Sequence, residues 1–167
     1  MPHIVCYPNE ILKERSHEVI QQEDYKGMIS HMMGVWSAIE DKALGLAAVQ
    51  TGIPKRICIM KINDKATVMI NPIITSTSGT YTAREYCFSV PGVSNMIESA
   101  TDIELEYMNE EFEIVQGVMT GEEARVLQHE IRHMDGITIV DIGAMPQYLF
   151  EAKLKRLARK HKGLLYV

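Results

Sequence analysis

The chain has 167 residues, a formal net charge of −5 and 46% hydrophobic residues. That length supports one domain with a sizeable core, and the composition is that of an ordinary globular protein, which excludes a disordered or fibrous chain. No apolar run reaches the roughly 18–20 residues a membrane span needs, and Met1-Pro2-His3-Ile4 has neither the basic start nor the apolar core of a secretion signal. The expectation is a single domain over residues 1–167, cytoplasmic and without a membrane partner. Charge is unevenly spread. Residues 151–162 hold six Lys/Arg and one Glu, net +5, which leaves −10 on the rest. A basic tail on an acidic body points to an anionic partner for the tail.

In chain order, residues 24–41 place Met28, Met32, Val35, Trp36 and Ile39 at helical spacing, which predicts an amphipathic helix with these side chains in the core. Short apolar, β-rich runs follow at Arg56 to Met60 and Thr67 to Ile70, the second stopped by Asn71-Pro72. Thr80 to Val90, Thr101 to Tyr107 and Phe112 to Met119 are further strand candidates, the last two flanking Asn109-Glu110-Glu111 as a hairpin turn. Thr120-Gly-Glu-Glu123 reads as a capping box opening a second helix that ends near Gly136. A third helix starts near Pro146 and ends near Gly163. Its Leu149, Phe150, Leu154 and Leu157 would face inward, and Lys153, Lys155, Arg156, Arg159, Lys160 and Lys162 mostly outward. Helix, strands, helix, helix argues α+β with mainly antiparallel sheet. Three cysteines at wide spacing are not a disulfide framework; Cys6 and Cys58 sit among apolar residues and read as buried thiols.

The most informative segment is Gln128-His-Glu-Ile-Arg-His133. On a helix, His129 and His133 lie on one face and can reach a single ion. Glu130 can then reach water at that ion and remove or relay its proton. Matches of this length also occur in helices that bind nothing. By itself the motif points to a zincin-like metalloprotease. A catalytic site of this sort needs a third protein ligand. Asp141 is the nearest downstream acid beyond Asp135 but lacks a ligand signature. Cys87, in Glu85-Tyr-Cys-Phe-Ser89, is the better candidate, although an isolated Cys is more often a buried thiol.

With Ala43-Leu-Gly-Leu-Ala-Ala-Val-Gln50, Glu85-Tyr-Cys-Phe-Ser89 and Gln128-His-Glu-Ile-Arg-His133 in this order, the chain resembles the peptide deformylases. Pro8, Ile70-Asn71-Pro72, Pro91-Gly92 and Asp135-Gly136 also match, so the resemblance covers nearly the whole chain. It implies antiparallel β-sheets packed around a central helix that carries the two histidines, with a C-terminal helix. It implies one divalent metal on Cys87, His129 and His133, ferrous iron in the cell with zinc, nickel or cobalt accepted. Glu130 would be the acid/base, and the Gln50 amide and the Phe88 backbone N–H would stabilise the oxyanion. Leu44, Gly45, Glu85, Tyr86, Arg125 and Val126 would line the substrate cleft. The implied substrates are formyl-methionyl nascent peptides, and the basic C-terminal helix could dock on the ribosome.

Four departures stand out. Ala43 and Val49 replace a usual Gly and a frequent Pro. Tyr86 replaces the Gly before the metal cysteine, and either crowds the cleft or points away. Arg132 replaces an Asp, and faces Glu85, Glu98 or solvent. Arg125 and Glu122 stand where the family is mostly apolar, so a salt-bridged rim or a pocket for a polar first residue is expected there. Two other readings remain open on the sequence: a non-catalytic homologue that binds formylated peptides or metal, and an amidase or protease with another substrate.

Overall fold

The computed structural model describes residues 3–160. Helix α1 (Tyr25–Trp36) starts where the Asp24 carboxylate accepts the Gly27 N–H. It is shorter than residues 24–41. Ser37 ends it, and turns through Ile39 follow. Ile39 still packs on the same apolar cluster, which is why its spacing reads as helical.

Strands β1 (Gly45–Ala47), β2 (Ile57–Ile62), β3 (Lys65–Ser78), β6 (Asp102–Met108) and β7 (Ile114–Thr120) form one antiparallel sheet in the order β1-β2-β3-β6-β7. Strands β4 (Tyr81–Tyr86) and β5 (Ser94–Ser99) form a separate antiparallel pair. Side chains alternate across a strand, and β2 shows the consequence. Ile57 and Ile59 pack with α1, Met32 and Trp36 in one cluster. Cys58 and Met60 pack on the other face with Leu127 and Met134 of helix α2 (Gly121–Met134). The metal-motif helix is thus held by the sheet on an almost wholly apolar face.

Several elements differ from their sequence signals. Asn71-Pro72 does not stop β3. Asn71 takes a positive φ of 50°, the register shifts between Ile70 and Ile73, and the strand bends and continues. The Asn71 side chain pairs with both backbone groups of Val19, so the bulge is hydrogen-bonded from outside the sheet. Strand β4 ends at Tyr86 rather than at residue 90, and a turn from Cys87 to Val90 follows. Strand β5 carries no β-branched alternation beyond Ile97, so its residues gave no signal; burial of Asn95, Ile97 and Ser99 holds it. The capping box at Thr120 does not form. Thr120 is the extended end of β7, and Gly121, at φ +57°, turns into the helix while donating its N–H to the Thr101 carbonyl. The turn joining β6 and β7 is built on Asn109, whose side-chain oxygen accepts the Glu111 and Glu113 N–H groups.

Helix α3 (Gln147–Lys160) packs Phe150 and Leu154 against Cys87, Val90 and Val93. Leu157 is partly buried there, but Leu149 faces solvent, contrary to the inward stripe expected for it. Lys153, Lys155, Arg156 and Arg159 are exposed. The Lys160 side chain, Lys162 and the helix end expected near Gly163 lie outside the described residues. Cys58 is fully buried, whereas Cys6 is only half-buried and donates to the Phe88 carbonyl at 3.7 Å.

Candidate active site

Three elements converge on one point. Helix α2 presents His129 and His133 from adjacent turns, and the turn after β4 presents Cys87. One ligand atom from each lies within 4.8 Å of the others. Cys87 Sγ is 3.1 Å from His133 Nε2. Both sequence motifs that could supply ligands are therefore together, whereas Asp141 is spent on the Thr138 N–H and hydroxyl.

Electrostatics fit a cation at this point. Burial pushes the Cys87 thiol up, but the facing His133 and His129 imidazoles outweigh burial and hold it well below the ordinary thiol range. His129 is held well above the ordinary imidazole range. Burial opposes this, and hydrogen bonds to Cys87 and Glu85 prevail. A thiolate facing imidazoles is a ligand set that shares positive charge, whether from a proton or a metal. The ring of His129 is oriented by Glu85, whose Oε2 lies 2.6 Å from Nδ1. Fixing the far ring nitrogen to a carboxylate is how metal-binding histidines are commonly positioned.

Glu130 is buried beside the two histidines, and its Oε2 has no hydrogen-bond partner among the described residues. Burial, opposed by the His129 and His133 charges, raises its pKa above the ordinary carboxylate value. An orphaned carboxylate oxygen is costly unless a polar group meets it, and a metal with its water would do so. Gly45 makes room for it: a Cβ on residue 45 would overlap the Glu130 carboxylate. The glycine of the first motif and the glutamate of the third therefore explain each other.

Gln50 sits on a short 3-10 turn (Ala48–Thr51). Its Oε1 accepts the Ala47 N–H at 2.9 Å, which aims its amide nitrogen at Ser89 Oγ (3.1 Å) and Cys87 Sγ (3.6 Å). Gln50 and Cys87 open on a cavity of about 460 Å³, which Leu44, Gly45, Phe88, Arg125 and Val126 also line. Tyr86 lines the cavity and is 72% exposed, so it stands at the rim rather than filling the cleft. Glu85 is fully buried behind the wall and contributes no lining. Arg132 turns inward, with Nη1 3.8 Å from Glu85 Oε1 and Nη2 bonded to the Glu98 carbonyl and Ser99 Oγ at 3.0 Å each. Its contact with Glu98 is to backbone and not to the acid. Arg125 lies 3.8 Å from Glu85 and 3.5 Å from Glu122. Lys42 and Arg84 also line the cavity and were not anticipated. Lys42 precedes the first motif and Arg84 the second, and only the tertiary fold brings them together. Ser89 was visible in its motif, but its bond to Gln50 was not.

A Cys/His/His triad at the inner end of a cleft, with a buried carboxylate beside it, defines the class: a mononuclear metallohydrolase centre. The polypeptide deformylase family model matches residues 1–147. A peptide deformylase of Pelotomaculum thermopropionicum is 36% identical over 83% of this chain and 88% of its own length. One from Aquifex aeolicus is 35% identical over 83% and 85%. Among solved structures, a peptide deformylase from Legionella pneumophila superposes with a TM-score of 0.85 at 26% identity, covering 97% of this chain and 98% of its own. One from Ehrlichia chaffeensis in complex with actinonin also gives 0.85, at 27% identity over 96% and 97%. The chain belongs to the peptide deformylase family.

Proposed function

We propose that this protein is a metal-dependent hydrolase that removes the N-formyl group from the starting methionine of new polypeptides and releases formate. The observation that carries the reading is the convergence of Cys87, His129 and His133 beside the orphaned Glu130 carboxylate at a 460 Å³ cleft. Cys87 as thiolate and the neutral imidazoles of His129 and His133 would hold one divalent ion. Three protein ligands leave one position open, as catalytic sites do. Ferrous iron is the ion proposed in the cell, with zinc, nickel or cobalt as substitutes, because one thiolate and two imidazoles suit several divalent metals. When bound, the ion supplies Lewis acidity, lowering the pKa of water and polarising a carbonyl.

The residues divide the remaining work. Glu130 takes the proton of the attacking water and delivers it to the departing amine nitrogen. The Gln50 amide nitrogen, fixed by its bond to Ala47, and the Phe88 backbone N–H donate to the charge that develops on the formyl oxygen. Glu85 holds His129. Strand β1 is the edge of its sheet, and its Gly45 lines the cavity. An extended peptide can therefore pair with that edge while Leu44 and Val126 pack on its first side chain.

Residues 1–167 are proposed to act as one catalytic domain, since α3 packs on the Cys87 turn. No helix of the described residues is long and apolar enough to cross a membrane; the proposed location is the cytoplasm. The exposed Lys153, Lys155, Arg156 and Arg159 face is proposed to dock on ribosomal RNA. The test of the activity is a panel on anaerobically prepared protein. Formate release from formyl-Met-Ala-amide, with no cleavage inside unformylated peptides, is the expected result. Internal cleavage without formate release overturns the reading.

A further inference from the structure

We infer that the cleft selects formylated substrates that carry a carboxylate one or two residues from the formyl group. The inference rests on the proposed deformylation and adds a substrate class to it. Three cations, Lys42, Arg84 and Arg125, line the cavity; the one carboxylate among its lining residues is Glu130, which is buried and committed to proton transfer, and the Cys87 thiolate is matched by the imidazole of His133 at 3.1 Å. Among the described residues Lys42 and Arg84 have no carboxylate within ion-pair distance, and Arg125 has only a shared one and an exposed one. Arg84 bonds a neutral group, Ser94 Oγ. Arg125 shares Glu85, at 3.8 Å, with Arg132 at 3.8 Å and His129 at 2.6 Å. A single buried negative charge thus faces two guanidinium groups. The other partner of Arg125, Glu122, is 70% exposed, and solvent screens such a pair.

The cleft wall therefore holds surplus positive charge although the chain as a whole is acidic. Low-dielectric walls focus such a field onto whatever enters. Arg125 precedes His129 by one helical turn, beside Val126, so it stands nearest the first substrate residue; Lys42 and Arg84 are exposed at the mouth. An acidic side chain at the first or second position, or the free C-terminal carboxylate of a formyl dipeptide, would meet these charges.

The test uses three isosteric pairs: formyl-Met-Glu-Ala-amide against its Gln counterpart, formyl-Glu-Ala-amide against its Gln counterpart, and formyl-Met-Ala against its amide. Binding is measured calorimetrically to metal-loaded Glu130→Gln protein, and kcat/KM on the wild type. In at least one pair the acid should bind roughly fivefold or more tightly at low salt, and which pair does so identifies the source of the carboxylate. The advantage should shrink at about 0.5 M salt and collapse in a Lys42→Gln/Arg84→Gln/Arg125→Gln variant. Should Arg125→Gln impair folding, the exposed Lys42→Gln/Arg84→Gln pair alone must lower the ratio. Equal or weaker binding of the acid in all three pairs, or an advantage untouched by these substitutions, overturns the inference. Failure of the wild type to hydrolyse any peptide would instead refute the deformylase reading, and the binding ratios would still decide this one.

Discussion

Glu130 is ionisable, buried and without a partner for one oxygen, so it is the residue at which function costs stability. Its pKa is raised in the fold, chiefly by burial. A raised folded pKa means that the stabilising, protonated form is present below the unfolded value of the carboxyl and is lost as pH rises through the folded value. In metal-free protein, Glu130→Gln is therefore expected to raise Tm at neutral pH, with the gain vanishing towards about pH 4. Thermal melts across that range check it. Glu130→Ala, loaded with metal, is expected to retain the ion and lose deformylation by about 10²–10⁴-fold, the usual range for general acid–base work; elemental analysis beside formate release measures both. Gly45→Ala should keep the ion too, since residue 45 is no ligand, yet displace Glu130 and lower kcat/KM about 10²-fold, as a 1 Å misplacement can. At this scale the sequence was informative where chemistry sits in short motifs. The His129/His133 spacing and Cys87 were legible. The Gly45–Glu130 contact, the Gln50–Ser89 bond and the cations Lys42 and Arg84 were not, because they depend on which distant segments meet.

Among the elements, those with strong periodicity were legible and those held by tertiary contacts were not. Helices α1 and α2 announce themselves through Met32, Trp36, Leu127 and the histidine pair. Strand β5 is polar in sequence and exists because Asn95, Ile97 and Ser99 find buried places. Strand β3 crosses a proline because Asn71 turns the chain and bonds Val19. Thr120 looks like a helix cap but belongs to β7, since Gly121 makes the turn. Helix α3 was legible as a basic amphipathic helix, but its role as a cover for the Cys87 turn was not. Phe150 and Leu154 are buried against Cys87, Val90 and Val93, and Tyr7, packed on the same cluster, donates to Glu151 at 3.0 Å. Leu154→Ala is accordingly expected to cost about 2–5 kcal/mol, the range for emptying a buried leucine site, seen as a lower Tm and a lower denaturation midpoint. A change below about 0.5 kcal/mol would mean that α3 is only loosely docked.

For the whole molecule, the division of charge matters most. The net +5 of residues 151–162 against −10 elsewhere leaves one face of α3 as the natural contact for an anionic surface. The proposed ribosome docking predicts co-sedimentation at low salt that weakens steeply as salt rises, through counterion release; Lys153→Glu/Arg156→Glu should weaken it further. No co-sedimentation of the intact protein at low salt would leave the helix a solvated cover. The central claim concerns the metal and the formyl group together. It is tested most directly by titrating ferrous iron, anaerobically, into metal-free protein while following formate release from formyl-Met-Ala-amide. The account predicts activity that rises linearly and breaks at one ion per chain, with Cys87→Ala showing no such break. Formate release that is independent of added metal, or that saturates at another stoichiometry, would contradict it.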